Sequence, residues 1–439
     1  MIHGLFRRAA FAATILFALQ AALPAAPQGL ASGDLFQSYE LLTTTYYSKV
    51  DVQGVLDGAR KALAAEAAHR GVVVTLPVMR ARASSGENVA QIAAEIARTE
   101  TATHESETVL TYVAIGGMAK ALGDQYTSFF TPEEYQKFND ALDPQKISGI
   151  GVLIEPDPAT QYIRAYYVVP GTPADQAGIL AGDDFISVNG TSTKGLKQED
   201  AVKLLRGEAG TTVHLQVVRD GNPVGTLAMT RTDVQPPTVI YKMLPGKIGY
   251  VAILTFGRET PDQFGAALNR LEDQGVRGYI LDLRNNGGGY VNSALDISSK
   301  FINNNPLLTV EERGSHVYTV QAPQDALPAK PMTILVNRYT ASASEITAGA
   351  LQDNGIGVLV GEKTYGKGVM QSLTQLPDGA AIKITTAHYL TPKHRDINLK
   401  GIEPDFAVTE NKNARFGDAT NDAQLQAAIS ILTKKIADR

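Results

Sequence analysis

The chain has 439 residues, 44% of them hydrophobic and 19% charged, which is enough apolar material for more than one packed core. Its 40 basic residues are outnumbered by 45 acidic ones, and no basic patch stands out, which argues against a nucleic-acid partner. The absence of cysteine excludes a thiol nucleophile, a disulfide framework and thiolate metal sites.

The first 26 residues read as a secretory signal. Arg7 and Arg8 form a positive start, residues 9–19 carry no charge, and small residues follow at 21–26. An uncleaved membrane anchor is the alternative, although the run is short for a spanning helix. Export is therefore expected, to the periplasm, the cell envelope or the medium. Residues 33–145 read as a helical region. Leu35, Tyr39, Leu42 and Tyr46 recur at helical spacing, as do Val109, Tyr112, Ile115, Met118 and Leu122. The polar, alanine-rich stretch 81–106 between them reads as a surface excursion in the form of a helical arm. Thr131 followed by Pro132 marks a helix start.

From 146 to 235 short β-type runs alternate with turn residues, at 151–154, 165–169, 184–188 and 213–218, with one helical stretch at 198–206. Pro236-Pro237 marks a boundary. From 236 to 409 strand-like runs (248–253, 278–283, 332–336, 357–360) alternate with helical candidates (260–273, 291–302, 344–353), the pattern of a layered α/β core. A last helix is expected within 410–439. The fold class is thus α/β and multidomain.

Three segments could carry chemistry. In 337–346 a buried-type strand runs into small residues and then a helix, and the helix amides there favour negative charge. Ser342 or Ser344 could serve as a nucleophile, or Ser342-Ala343-Ser344-Glu345 is simply a helix cap. In 361–371 Lys367 lies between Gly366 and Gly368. A lysine held in a dry site loses its proton readily and can act as a general base, while a glycine turn with a solvated lysine is the plain alternative. Gln371, four residues on, is in reach of the amine. In 282–289 a strand ends in Gly287-Gly288-Gly289, whose amides could bind an oxyanion, and the spacing matches no phosphate-binding pattern. The seven histidines show no metal-ligand spacing, no Gly-x-Ser-x-Gly elbow is present, and no metal or organic cofactor is called for.

Together these segments resemble the carboxyl-terminal processing proteases, or tail-specific proteases. The match lies in Ser342-Ala343-Ser344-Glu345-Ile346, in Gly366-Lys367-Gly368 with the lysine 25 residues after the serine, in Gln371, and in the closing Gly401-Ile402-Glu403-Pro404-Asp405. The resemblance implies a protease core of the crotonase/Clp kind with Ser342 as nucleophile, Lys367 as general base and Gln371 orienting the lysine. It makes Ser344 a bystander and assigns the amides of Ala343 and Gly288 to the oxyanion hole. Residues 146–235 are similar to the PDZ module of that family. Gly149, Ile150, Gly151 and Val152 match its carboxylate-binding loop, and Arg206 either adds charge there or is an ordinary surface arginine. The implied partners are unfolded proteins or exposed carboxyl-terminal tails, with membrane proximity and homo-oligomerisation left open. Two departures stand out: 81–106 has no counterpart, and Lys393-His394-Arg395 is more basic than the usual turn. A non-catalytic tail-binding scaffold and, more remotely, a crotonase-like acyl-CoA enzyme are the competing readings.

Overall fold

The computed structural model describes residues 30–409 and 419–438, so the expected signal segment lies outside the described residues. None of the described helices is long and apolar enough to cross a membrane. The chain divides into two units, the first comprising described residues 30–44, 51–123 and 375–379.

The first unit is built from α1 (Leu30–Thr44), α2 (Val52–His69), α3 (Ser85–Thr103) and α4 (Glu107–Ala121). Helices α2 and α4 meet at a pair of glycines. A Cβ on Gly58 would lie 2.4 Å from the Gly117 carbonyl oxygen, and one on Gly117 would lie 2.5 Å from that of Gly58. The stretch 81–106 is helical, as expected, but it is packed and not a surface excursion. Most of it is α3, which packs on all three other helices and buries Val89, Ile92, Ile96 and Thr99 at helical spacing, while Asn88 Nδ2 donates to the Tyr39 hydroxyl (2.8 Å). Its polar residues and small alanines gave the segment a surface texture, yet the buried positions that recur along one face suffice to dock it. The turn 375–379 belongs to this unit, where the Tyr112 hydroxyl donates to Asp378 (2.5 Å). Asp34 is buried beside Asp378, and that burial, with the neighbouring carboxylate, pushes its carboxyl up to about 6.

The second unit holds the rest, including residues 124–145, so the expected helical region 33–145 is shared between the units. It opens with β1 (Ser128–Phe130) and α5 (Pro132–Leu142). Thr131 caps α5, its hydroxyl accepting from the Glu134 amide, with Pro132 in the first turn. The PDZ-like body follows. Its strands are β2 (Ile147–Gly149), β3 (Val152–Pro156), β4 (Ile163–Val168), β5 (Asp184–Val188), β6 (Thr191–Ser192), β7 (Thr212–Arg219), β8 (Asn222–Thr230) and β9 (Thr232–Val234). A sheet ordered β3-β4-β5-β7-β8 is flanked by α6 (Pro173–Gln176) and α7 (Gln198–Leu205), and encloses a core that includes Ile154, Phe185, Val213 and Leu215.

The layered core contains two sheets. The strands are β10 (Val239–Leu244), β11 (Ile248–Ile253), β12 (Gly278–Asp282), β13 (Pro306–Glu312), β14 (His316–Gln321), β15 (Met332–Val336), β16 (Gly357–Gly361), β17 (Val369–Gln375), β18 (Ala381–Leu390) and β19 (Phe406–Ala407). One sheet is ordered β10-β11-β12-β15-β16-β19, parallel from β11 onward. Strands β11, β12 and β15 are buried at every position, which is why they read as unbroken apolar runs. Helices α8 (Thr260–Asp273), α9 (Val291–Ser299) and α10 (Ala343–Asp353) supply the crossovers, and α11 (Ala423–Ala437) packs against β12, β15 and β16. The other sheet joins β1, β18, β13 and β14, with β17 paired to β18. The segments that follow β12, β15 and β16 therefore emerge side by side at the carboxyl ends of adjacent parallel strands, where open α/β sheets place their ligands. These are the three segments that the sequence marks as chemically suspect.

Candidate active site

The segment after β15 is tied to the one after β12 before it reaches Ser342. Asn337 Oδ1 accepts from the Asn285 amide (3.0 Å), and the Thr340 hydroxyl donates to the Leu283 carbonyl (2.9 Å). Ser342 then takes φ 58° and ψ −119°, a conformation that side chains other than glycine rarely adopt. Three bonds hold it there. Its amide donates to Glu345 Oε2 (2.9 Å), and its carbonyl accepts from the Ile346 amide (2.9 Å) and the Tyr389 hydroxyl (3.2 Å). The result lifts a half-buried serine onto the end of α10. Ser344 is fully buried and its hydroxyl donates to the Asn286 carbonyl (2.9 Å), so it serves as a structural tie.

Lys367 reaches the same place from β16. A Cβ on Gly366 (φ +90°) would lie 2.7 Å from the Gly401 nitrogen, and one on Gly368 would lie 2.7 Å from the Asn398 nitrogen, so both flanking glycines are required by close packing on 397–401. One carboxylate then joins lysine to serine. Glu345, fully buried, accepts from the Lys367 amide (2.8 Å), the Gly366 amide (2.7 Å) and the Thr364 hydroxyl (2.5 Å) as well as from Ser342. Burial pushes the Glu345 carboxyl up, and these donors oppose the shift by favouring its charged form. The Tyr389 hydroxyl also spans the two, lying 2.8 Å from the Lys367 carbonyl and 3.2 Å from that of Ser342. The Lys367 ammonium lies 5.1 Å above the Tyr126 ring. Burial first, and the nearby Lys383 second, push it down to about 8, against the pull of Asp124 and Glu345. Gln371 sits on β17 with its side-chain nitrogen buried and without a hydrogen-bond partner.

The glycine turn completes the arrangement. At Gly288 (φ +101°) a Cβ would lie 2.8 Å from the Ser342 Cβ and 2.9 Å from the Ala343 nitrogen, which places this backbone against the nucleophile candidate. The Ala343 amide is the first of α10 and has no acceptor within the helix. The Gly288 amide, in contrast, donates to Asn286 Oδ1 (2.9 Å) and becomes free for a ligand only if the turn rotates. The base of the turn is tied by ion pairs. Arg284 pairs with Asp282 (2.6 Å) and Asp422 (2.8 Å), and the Tyr250 hydroxyl donates to Asp282 (2.6 Å). Among the described residues no cluster of three or more histidine, aspartate or glutamate side chains is placed to hold a metal ion.

The five residues expected to bind a tail line one groove between β3 and α7. Gly149, Ile150, Gly151 and Val152 form one wall, with Val202 and Arg206 opposite. Ile150 contributes backbone only, since its side chain is in the core, whereas Arg206 is exposed. Gly151 (φ +81°) is needed because a Cβ there would overlap Thr172 at 2.3 Å.

Glu345 was legible only as a capping residue, and Tyr126, Lys383 and Tyr389 carried no motif. The one available signal was a glutamate three residues after a serine beside a glycine-flanked lysine, a pattern that does not reveal a shared acceptor.

Comparison with known proteins supplies the family. Residues 247–408 match peptidase family S41 and residues 164–219 match a PDZ domain. The chain is 38% identical over 329 residues to the carboxyl-terminal-processing protease of Picosynechococcus sp., covering 74% of this chain and 79% of that protein. It is 36% identical over 336 residues to the carboxy-terminal processing protease CtpA of Bacillus subtilis, covering 74% of this chain and 72% of that protein. A solved Bacteroides fragilis structure assigned to the S41 proteases shares the fold, with 20% identity and a TM-score of 0.51 over 72% of this chain and 87% of that chain. A serine-type peptidase core fused to a PDZ domain, with this degree of similarity along most of its length, belongs to the carboxyl-terminal processing proteases of peptidase family S41.

Proposed function

We propose that this protease cleaves unstructured carboxyl-terminal tails by a Ser342–Lys367 dyad. The observation that carries the reading is the shared acceptor: Glu345 receives the amides of both residues and so sets the spacing of nucleophile and base. The neutral Lys367 amine removes the Ser342 hydroxyl proton as Oγ adds to the scissile carbonyl. The Ala343 amide, at the positive end of α10, faces the developing oxyanion, and the Gly288 amide joins it when released from Asn286. Lys367 then passes its proton to the leaving amine, giving an acyl-enzyme and a free tail. Water attacks the ester with Lys367 again taking a proton, which it returns to the Ser342 oxygen as the acyl bond breaks, releasing the carboxylate product and restoring the hydroxyl. Gln371 orients the amine once the substrate closes the site. With Lys367 at about 8, about a tenth of it is neutral at pH 7, and the active fraction grows as pH rises.

Tail capture falls to the groove of Gly149–Val152, where backbone amides receive a terminal carboxylate while the peptide adds as a strand beside β3. The positive start and apolar run of residues 1–26 support export to the periplasm, cell envelope or medium, which amino-terminal sequencing of fractionated cells tests. The main test is incubation of the protein with an unfolded protein and mass spectrometry of the products. Fragments ending near the carboxyl terminus, absent with Ser342→Ala, are expected. Stable binding without fragments would leave a tail-binding scaffold.

A further inference from the structure

Two lysines, and not one, face the aromatic stretch between residues 126 and 138. Lys367 has its ammonium 5.1 Å above the Tyr126 ring. Lys383 lies on β18, its backbone paired with Ser128 of β1, and holds its ammonium 5.2 Å from the Phe130 ring and 5.5 Å from the Phe138 ring. Among the described residues neither ammonium has a carboxylate within ion-pair distance. The carboxylate whose field reaches both is Asp124, and its oxygens already accept from the Tyr126 amide and from the hydroxyls of Thr127 and Thr385. Glu345 faces Lys367 from α10 with its oxygens filled by other donors. The titratable phenols nearby, Tyr126 and Tyr389, are held neutral by burial.

Two half-buried cations around one shared, already engaged carboxylate repel each other's protons. They differ in what they rest on. Lys383 has two ring faces, which favour a cation, whereas Lys367 has one. The proton is therefore given up first at Lys367, and the charge stays on Lys383. We propose that Lys383 is a positioning residue for the dyad: its charge, pinned over Phe130 and Phe138, helps the base beside Ser342 give up its proton. A lysine base activated by a second cation is a known chemical device, and this inference rests on the Ser-Lys reading given above.

The test is the pH dependence of kcat/KM for a peptide substrate, measured on the full chain. Wild type is expected to show one rising limb near pH 8. Lys383→Met keeps the packing on both rings and removes the charge. Its limb should move up by about half a pH unit or more, so that activity falls roughly threefold or more at pH 7 yet matches wild type above the limb. Lys383→Arg keeps the charge and should leave the limb in place. Lys383→Gln repeats the neutral test should the methionine variant fold poorly, with circular dichroism confirming the fold of each. An unmoved limb in the folded neutral variants, or a loss equal at all pH values, overturns the role of Lys383. A wild type without a rising limb, or an active Lys367→Arg, instead overturns the dyad itself.

Discussion

The PDZ groove and the candidate catalytic turn are both backbone surfaces opened by glycine, yet they are held in opposite ways. In the groove the requirement is negative. Gly151 must lack a side chain because Thr172 occupies the space, which lets this stretch of backbone line the groove. Beside the turn, the residue in the rare conformation is not glycine but Ser342, and a network drawn from several segments holds it: Glu345 from α10, Tyr389 from β18 and the loop that bears Lys367. Recognition by backbone needs little more than a missing Cβ. Chemistry by side chains needs a buried charge to hold strained backbone in place, and that charge must itself be filled with donors.

The sharpest way to break this contrast is to remove its chemical end. Ser342→Ala is expected to lower cleavage by about a thousandfold or more while leaving tail-peptide binding intact. Ser344→Ala, which loses only the bond to Asn286, should stay within about tenfold of wild type. Cleavage that survives in Ser342→Ala and vanishes in Ser344→Ala would move the nucleophile two residues on.

Glu345→Gln tests whether the clamp matters as a charge. The amide keeps the shape, loses the anion and presents donors where acceptors are needed, so charge-assisted bonds to Ser342, Gly366 and Lys367 are weakened together. A fall in kcat of about a hundredfold with little change in KM is expected. Unaltered kcat would reduce Glu345 to an ordinary cap.

In the groove the expected effects are smaller. A tail peptide with a free carboxylate should bind about 10 to 100 times more tightly than its amide, the worth of one charge-assisted contact. Arg206→Ala should weaken the free-acid peptide by only a few-fold, since the side chain is exposed. Equal affinity for acid and amide, by titration calorimetry, would remove carboxylate capture from the groove.

The last prediction concerns the cost of the buried lysine. Its folded value, about 8, lies below the 10.5 of an unperturbed lysine, so the unfolded chain binds the proton more tightly. Stability from this group is complete above pH 10.5, is lost as pH falls through the interval down to about 8, and stays lost below it. Lys367→Met should therefore be more stable than wild type at pH 7, by on the order of 2 kcal/mol, with the gap closing toward pH 10 and above. Denaturant melts at pH 7 and 10 measure this. An equal or larger gap at pH 10 would show that packing, and not charge burial, sets the difference.

Much of this protein was legible in its residues taken singly and in runs. Strands β11, β15 and β5 and helix α8 begin and end where the apolar runs and turn residues put them, because a strand or helix is set by side chains within a few positions of one another. The spacing from Ser342 to Lys367 and the glycines of both loops were equally plain. Tertiary structure decided the rest. The docking of α3 depended on partners in three other helices, and its alanines concealed that face. The amide of Gly288 turned to Asn286, a choice between two acceptors that no motif encodes. Glu345 became the link between serine and lysine only when β15 and β16 lay side by side, and Lys383 came to share a carboxylate with Lys367 only when β18 paired with β1. Local pattern specifies elements and their turns, whereas the shared acceptor and the shared field arise between groups up to about 260 positions apart, which only the folded chain brings within reach.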